Sequence, residues 1–75
     1  MNKQILKLAQ QAGMYVDVNG NPWPKWMSAE ECEVVYTKFA ELIVRECMRL
    51  NSKELSITAI ERLLPLYREH FGVEE

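Results

Sequence analysis

The sequence has little of what enzymes and metal sites require. Its 75 residues include one histidine, two cysteines and three glycines. His70 has no second His and no paired Cys at metal-ligand spacing, and the isolated glycines do not form a phosphate-binding loop. A nucleophilic Ser or Cys would need a base, and the sole imidazole lies near the end of the chain. We therefore expect no metal, no cofactor, no catalytic residue and no enzymatic activity.

The chain also lacks a run of eighteen apolar residues, and its first residues turn polar by Gln10 without a small-residue cleavage site. We expect neither a membrane span nor a signal peptide, and hence a cytoplasmic protein. The net charge is −2, and lysines and arginines are spread over every segment. Binding to nucleic-acid phosphates requires a basic face, so the composition disfavours nucleic acid as a partner.

Length and composition set the fold class. Seventy-five residues that are 48% hydrophobic and 27% charged make one domain over residues 1–75. The apolar positions recur mainly at helical spacing. The prediction is an all-α protein: a small three-helix domain with a long central helix, and a Trp/Pro-rich loop or minimal hairpin between helices 1 and 2.

The two outer helices have recognisable signals at their ends. The first is predicted over residues 3–12, with Asn2 as its N-cap. The third can begin after Ser52 or after Ser56; the start after Ser56 is favoured, which predicts a helix over residues 57–71. Pro65 lies inside the third helix, where it removes a backbone donor and clashes with the preceding turn. We expect this helix to be kinked or split at that residue.

The central helix is predicted over residues 29–50. Ser28 and Glu31 fit the capping box, in which the Ser hydroxyl accepts from the backbone three residues on and the Glu carboxylate reaches back. Asn51 and Ser52 are expected to end or bend this helix, because their side chains compete with backbone hydrogen bonds.

The segment over residues 14–27 breaks the helical period. A short extended piece over 15–18 is followed by Asn19 and Gly20, a pair typical of a tight turn. The returning piece over 21–24 contains two prolines, so any strand pairing should be brief and at an edge. We expect mostly a loop, with a very small hairpin as the alternative.

The central helix carries apolar residues on more than one side. Nine of them fall within an arc of about 160° at 100° per residue and form the expected core face. They are Cys32, Val35, Tyr36, Phe39, Ala40, Leu42, Ile43, Cys47 and Leu50. Val44 and Met48 lie outside that arc, with Val34 further along the polar side. Either they are single exposed residues, or they form an interface with another protein.

Two details of the same helix bear on this choice. Glu46 falls inside the apolar arc, where it is expected to pair with an Arg or Lys from another helix. Cys32 and Cys47 are about 22 Å apart along a continuous helix, whereas a disulfide requires Cα atoms within about 7 Å. Both are therefore predicted to be free thiols on the apolar side of the helix.

The segment Pro22 to Trp26 is the best local candidate for recognition. Trp is the residue that most often anchors interfaces, which makes Trp23 and Trp26 candidate contacts. Alternatively, one or both indoles fold back over the helices as a lid. Stacking on a single-stranded base, with Lys25 between the rings, is a further alternative that lacks a basic groove.

Three stretches carry a family resemblance. MNKQILKLAQQAG at the start, KFAELIVRECMRL in the middle and REHFGVEE at the end resemble short accessory proteins of tailed bacteriophages that infect enteric bacteria. The resemblance implies a small protein acting in the cytoplasm of the infected host, where such proteins commonly bind and redirect or block a host protein.

Two functional hypotheses follow from the sequence. In the first, the protein is a non-enzymatic phage protein that binds and modulates or inhibits a host protein or defence complex, or binds a second copy of itself as a dimer. The predicted contacts are Val34, Val44, Met48, Trp23 and Trp26, with Glu46 as the charge that needs a partner. In the second, it is a small DNA-binding regulator in which a helix pair over 52–71 touches phosphate through Arg62 and Arg68.

Overall fold

A computed structural model describes residues 1–73, so that Glu74 and Glu75 of the predicted domain lie outside the described residues. Three helices and two short strands follow one another along the chain. They are α1 (Lys3–Gln11), β1 (Tyr15–Val16), β2 (Pro22–Trp23), α2 (Ala29–Glu54) and α3 (Ile57–Phe71). The predicted fold class is confirmed: the protein is mainly all-α, with a long central helix and a minimal two-stranded hairpin between the first two helices.

The chain comprises two compact units. The first, Met1–Leu42, contains α1, the hairpin and the first part of α2. The second begins at Ile43 and contains the rest of α2 followed by α3. A single domain over the whole chain stays a prediction.

Helix α1 is closed at both ends by local hydrogen bonds. The Oδ1 atom of Asn2 accepts from the backbone N–H of Gln4 at 2.8 Å, which satisfies one of the donors left free at a helix start. At the other end, the N–H of Met14 donates to the carbonyl of Ala9, and Gly13 has a φ of 104°. This left-handed reversal directs the chain from α1 into the hairpin.

The hairpin is as short as its prolines require. Tyr15 pairs with Trp23 and Val16 with Pro22, antiparallel. The Oδ1 atom of Asp17 accepts from two backbone N–H groups of the turn, those of Asn19 and Asn21, at 2.9 and 3.0 Å. Pro22 has no N–H to donate, so the ladder ends after two residues on each strand. The segment therefore forms the minimal hairpin.

Helix α2 starts where the sequence predicts and ends later. The capping box is formed: Ser28 Oγ accepts from the Glu31 N–H at 3.2 Å, and Glu31 Oε1 accepts from the Ser28 N–H at 3.4 Å. The expected end at residues 50–52 is wrong, because α2 continues to Glu54. The carbonyl of Asn51 accepts from the N–H of Leu55, and its side chain is used in a tertiary hydrogen bond rather than a cap.

Helix α3 is one element from Ile57 to Phe71 with Pro65 inside it. Of the two alternatives predicted for Pro65, a kink or a split, the split does not occur. One proline deletes a single backbone donor, whereas both ends of this helix are firmly capped. Ser56 Oγ accepts from the Ala59 N–H at 3.3 Å, and the N–H of Gly72, with a φ of 66°, donates to Arg68.

The buried core of each unit is small. In the first unit Ala9, Ala12, Met14 and Val35 are buried and form one cluster, against which Met27, Phe39 and Leu42 pack. This cluster joins Ala9 of α1, and the two residues Ala12 and Met14 that follow the helix, to Val35 of α2. In the second unit Met48 and Val73 are buried. Cores this small leave many large apolar side chains exposed, which directs attention to the surface.

Candidate functional site

The hairpin displays two aromatic rings on one side. Because Tyr15 and Trp23 are directly opposed in the register, their side chains emerge on the same face. The ring centroids are 6.2 Å apart and the planes are inclined at 74°, an edge-to-face contact. The hairpin thus holds these rings in a defined arrangement at the protein surface.

The ammonium group of Lys25 lies among three aromatic rings. Its Nζ atom is 4.4 Å from the ring centre of Tyr15, 5.4 Å from that of Trp26 and 6.0 Å from that of Trp23. Each distance is within the range of a cation–π interaction. The backbone N–H of Lys25 donates to the carbonyl of Trp23 at 3.0 Å. This tight reversal brings the lysine back over the rings. We call these four side chains the aromatic cluster.

Trp26 is the most unusual member of the aromatic cluster. Its exposed fraction is 90%, and its φ is 63°. Within residues 1–73 it is the one non-glycine residue with a positive φ. A bulky side chain in this region costs on the order of 1–3 kcal/mol, and such strain is concentrated at functional sites. The protein therefore holds an indole in solvent at a conformational cost.

The lid expected from the sequence is not formed by Trp26, because its indole is exposed. Trp23 is 46% exposed and is partly covered by the ring of Tyr15. Trp23 lies on β2 and Trp26 three residues further along the chain, and each indole keeps a large part of its surface exposed. The two tryptophans therefore remain available to a partner.

A second apolar feature of the first unit begins one residue after Trp26. Met27, Glu30, Glu31, Val34 and Val35 line a surface cavity of about 320 Å³. Val34 is 66% exposed, while Val35 belongs to the buried core. The cavity therefore combines aliphatic side chains with two carboxylates, an arrangement suited to an apolar side chain that has a positive charge beside it.

The remaining predicted contacts lie in the second unit, and one prediction is wrong. Val44 is half-buried, and Met48 is completely buried with 0% of its surface exposed. Met48 was expected outside the core because it falls outside the apolar arc of α2. An arc locates a residue on its own helix, but tertiary packing decides which faces are covered. Met48 therefore belongs to the buried core of the second unit.

Glu46 has a partner, although not the one expected. Arg49 Nη2 donates to Glu46 Oε1 at 2.6 Å, and Arg49 Nε donates to Oε2 at 3.3 Å. The hydrogen bond from Arg49, one turn away on α2, lowers the pKa of the Glu46 carboxyl. A partner from another helix is not needed, because neighbours at i and i+3 on one helix already meet.

The two cysteines are free. Cys32 is half-buried, which suits the apolar side of α2, but Cys47 is exposed, contrary to the expectation from its position in the arc. Met48, outside the arc, is buried, and Cys47, inside it, is exposed. The buried side of α2 therefore does not follow the arc at this part of the helix. Neither thiol lies among groups that would make it a metal ligand: residues 1–73 contain no group of three His, Cys, Asp or Glu side chains placed to hold an ion.

A surface feature of the second unit was missed by the sequence reasoning. Six residues of α3 surround a depression of about 630 Å³; they are Leu63, Leu66, Tyr67, Glu69, His70 and Phe71. The ring of His70 meets that of Phe71 edge-on at 4.6 Å. Leu66 and Phe71 are more than half exposed, so this depression has apolar side chains at its surface. In the described part of the chain no helix is long and apolar enough to cross a membrane.

Comparisons with known proteins give no relative. No family model, no curated protein and no solved structure matches this chain. The functional argument therefore depends on the geometry of the aromatic cluster and the neighbouring cavity.

Proposed function

We propose that this protein acts without enzymatic activity, by binding another protein through the first unit. The proposed contacts are Trp23, Trp26 and Val34. The partner we propose is a bacterial host protein whose activity is modulated or blocked in the cytoplasm of the infected cell, as the resemblance to phage accessory proteins implies. The observation that carries the proposal is the exposed indole of Trp26, whose backbone has a left-handed φ of 63°.

The strain at Trp26 is informative because the free protein gains little from it. A left-handed backbone at this residue opposes folding, and the exposed indole orders water without the compensation of burial. A partner that covers the indole adds the favourable burial that the free protein lacks, and this gain offsets the cost of the backbone conformation. Tryptophans at the centre of interfaces typically contribute at least about 2 kcal/mol to binding.

The chemistry around Trp26 resembles that of an interface core with a polar rim. Trp23 and Val34 supply further apolar surface, and charged side chains accompany it: Lys25 within the aromatic cluster, and Glu30 and Glu31 beside the cavity. Interfaces enrich aromatic residues at the centre and place charges at the edge. The first unit offers both within residues 15–35.

The test is comparative capture from a bacterial lysate, followed by reconstitution with the purified captured protein. Wild type, Trp26→Ala, Val34→Lys and the control Ile57→Lys are used as baits. Ile57 is also an exposed aliphatic residue, but it lies in the second unit. We expect one protein to be retained by wild type and by Ile57→Lys and lost with Trp26→Ala and Val34→Lys. The purified pair should then show a dissociation constant at least about thirtyfold weaker for Trp26→Ala, equivalent to about 2 kcal/mol.

Three results would contradict the proposal. Equal retention by all four baits would place the surface elsewhere. A doubled mass in light scattering for wild type, with monomeric Trp26→Ala, would mean that the surface binds a second copy of this chain. Binding to duplex DNA that weakens steeply with salt would favour the regulator hypothesis instead.

A further inference from the structure

The aromatic cluster has the composition of a cation-binding site, and its own lysine occupies it. We propose that Tyr15, Trp23 and Trp26 form a receptor for a positively charged side chain of the partner, with an arginine guanidinium as the ligand, and that Lys25 fills this receptor in the free protein. This inference rests on the proposed function and specifies the chemical group that the surface recognises.

The geometry supports recognition of a cation. Three rings surround the Lys25 Nζ atom at 4.4, 5.4 and 6.0 Å. Aromatic faces carry partial negative charge, and clusters of such faces are the usual receptors for organic cations. A guanidinium is planar and weakly hydrated, so it stacks on aromatic faces better than an ammonium does.

Another cation can displace the Lys25 ammonium from the aromatic cluster. The hairpin lies at the surface, and Trp26 is almost fully exposed, so one side of the cluster is open to an incoming group. The three surrounding rings and a short backbone reversal hold Lys25 there. Its flexible aliphatic chain can move the ammonium into water. When the partner's guanidinium displaces it, the cation–π contacts of Lys25 are replaced by those of the arginine, and the Lys25 ammonium becomes hydrated.

The charge of the molecule favours the same ligand. The net charge of −2 attracts a positively charged partner. Glu30 and Glu31 line the cavity that begins one residue after Trp26. A partner that places an arginine in the aromatic cluster and an apolar side chain in this cavity would use both features.

The experiment titrates the full chain with N-acetyl-arginine amide and follows the two indole N–H signals by NMR. The neutral control ligand is N-acetyl-citrulline amide, which has nearly the same shape. Wild type is compared with Lys25→Met, which removes the resident cation, and with Lys53→Met, which makes the same charge change in the second unit. Lys25→Gln serves as a second vacating variant, and circular dichroism checks that each variant is folded.

We expect Lys25→Met and Lys25→Gln to bind the arginine amide about two- to fivefold more tightly than wild type, the factor expected when one exposed cation–π competitor is removed. Lys53→Met should match wild type, and combining Lys25→Met with Trp26→Ala should abolish the gain. Citrulline amide that binds as well as arginine amide would overturn the inference. So would equal affinities of wild type and both Lys25 variants.

A third ligand, choline, tests whether the aromatic cluster prefers an arginine side chain or a small quaternary ammonium compound. Choline carries the same charge without a planar group, and tighter binding of choline than of arginine amide would overturn the assignment to an arginine. The capture experiment remains independent of this result. Loss of capture with Trp26→Ala, together with no response to any cation, would leave the binding surface in place and remove the inference about its ligand.

Discussion

The side-chain amide of Asn51 donates a 2.7 Å hydrogen bond to the hydroxyl of Tyr67, sixteen residues further along the chain. Asn51 is on α2 and Tyr67 on α3, so this bond joins the two helices of the second unit. It also explains why α2 does not end at Asn51: the amide that would compete with backbone hydrogen bonds is engaged by a side chain.

Removing this hydrogen bond should destabilise the second unit. Tyr67→Phe leaves a partly buried amide without its partner, and we expect a loss of about 0.5–1.5 kcal/mol in the free energy of unfolding. Urea unfolding followed by circular dichroism measures it. Tyr36→Phe, which removes the hydroxyl of an exposed tyrosine on α2, should change stability by less than about 0.5 kcal/mol. Additive effects of Tyr67→Phe and Asn51→Ala in a double-mutant cycle would show that the bond is unimportant.

Truncating Met48 should lower the free energy of unfolding more than Tyr67→Phe does. Met48 is completely buried, so Met48→Ala removes apolar contacts and leaves a cavity, at a cost of about 2–5 kcal/mol. Thermal and urea unfolding measure the loss. Val34→Ala, at an exposed position of α2, should cost less than about 0.5 kcal/mol. Similar stabilities for the two variants would mean that Met48 is not part of a packed interior. A charge at Met48 would disturb folding and is therefore unsuitable as a test of binding.

Two substitutions at Trp26 separate strain from side-chain contacts. Trp26→Gly and Trp26→Ala both remove the indole, but only glycine adopts a positive φ without steric cost. We expect Trp26→Gly to be more stable than Trp26→Ala by about 1 kcal/mol, measured by chemical unfolding. The usual order in a helix is the reverse. If Trp26→Ala proves equal or more stable, the left-handed conformation is absent in solution.

The pair formed by Glu46 and Arg49 predicts a pH effect with a definite sign. Arg49 lowers the pKa of Glu46 below its ordinary 4.5, so the folded protein favours the carboxylate more than the unfolded chain does. The resulting stabilisation is present above pH 4.5 and is lost as the pH falls through the lowered pKa. NMR titration of the carboxyl carbon should show the pKa rising toward 4.5 in Arg49→Met. Arg62→Met is the control and should leave it unchanged; a response equal to that of Arg49→Met would indicate a general charge effect.

The ends of the elements were largely predictable because their causes are local. Asn2, Ser28 and Ser56 each bond to a backbone N–H two or three residues on, and such pairs are visible in the sequence as spacings. A loop was favoured over a hairpin between β1 and β2, but the shortness of any strand pairing there followed from the prolines. These predictions needed no knowledge of which helix packs on which.

The errors arose where distant residues decide the outcome. Met48 was assigned to the outside because its angle on α2 was known while the packing around it was not. The arrangement of Lys25 among three rings depends on a strand register and on a left-handed residue, neither of which periodicity reveals. The candidate site is therefore less predictable than the fold, although the tryptophans that compose it were identified.

The position of the two tryptophans has an optical consequence. Both indoles lie in the first unit, so tryptophan emission, excited at a wavelength that tyrosine does not absorb, reports on that unit, while circular dichroism reports on helices in both. A chain that unfolds as one cooperative body gives coincident curves with the two probes. Comparing the two curves on unlabelled protein therefore shows whether residues 1–42 unfold together with the segment that begins at Ile43.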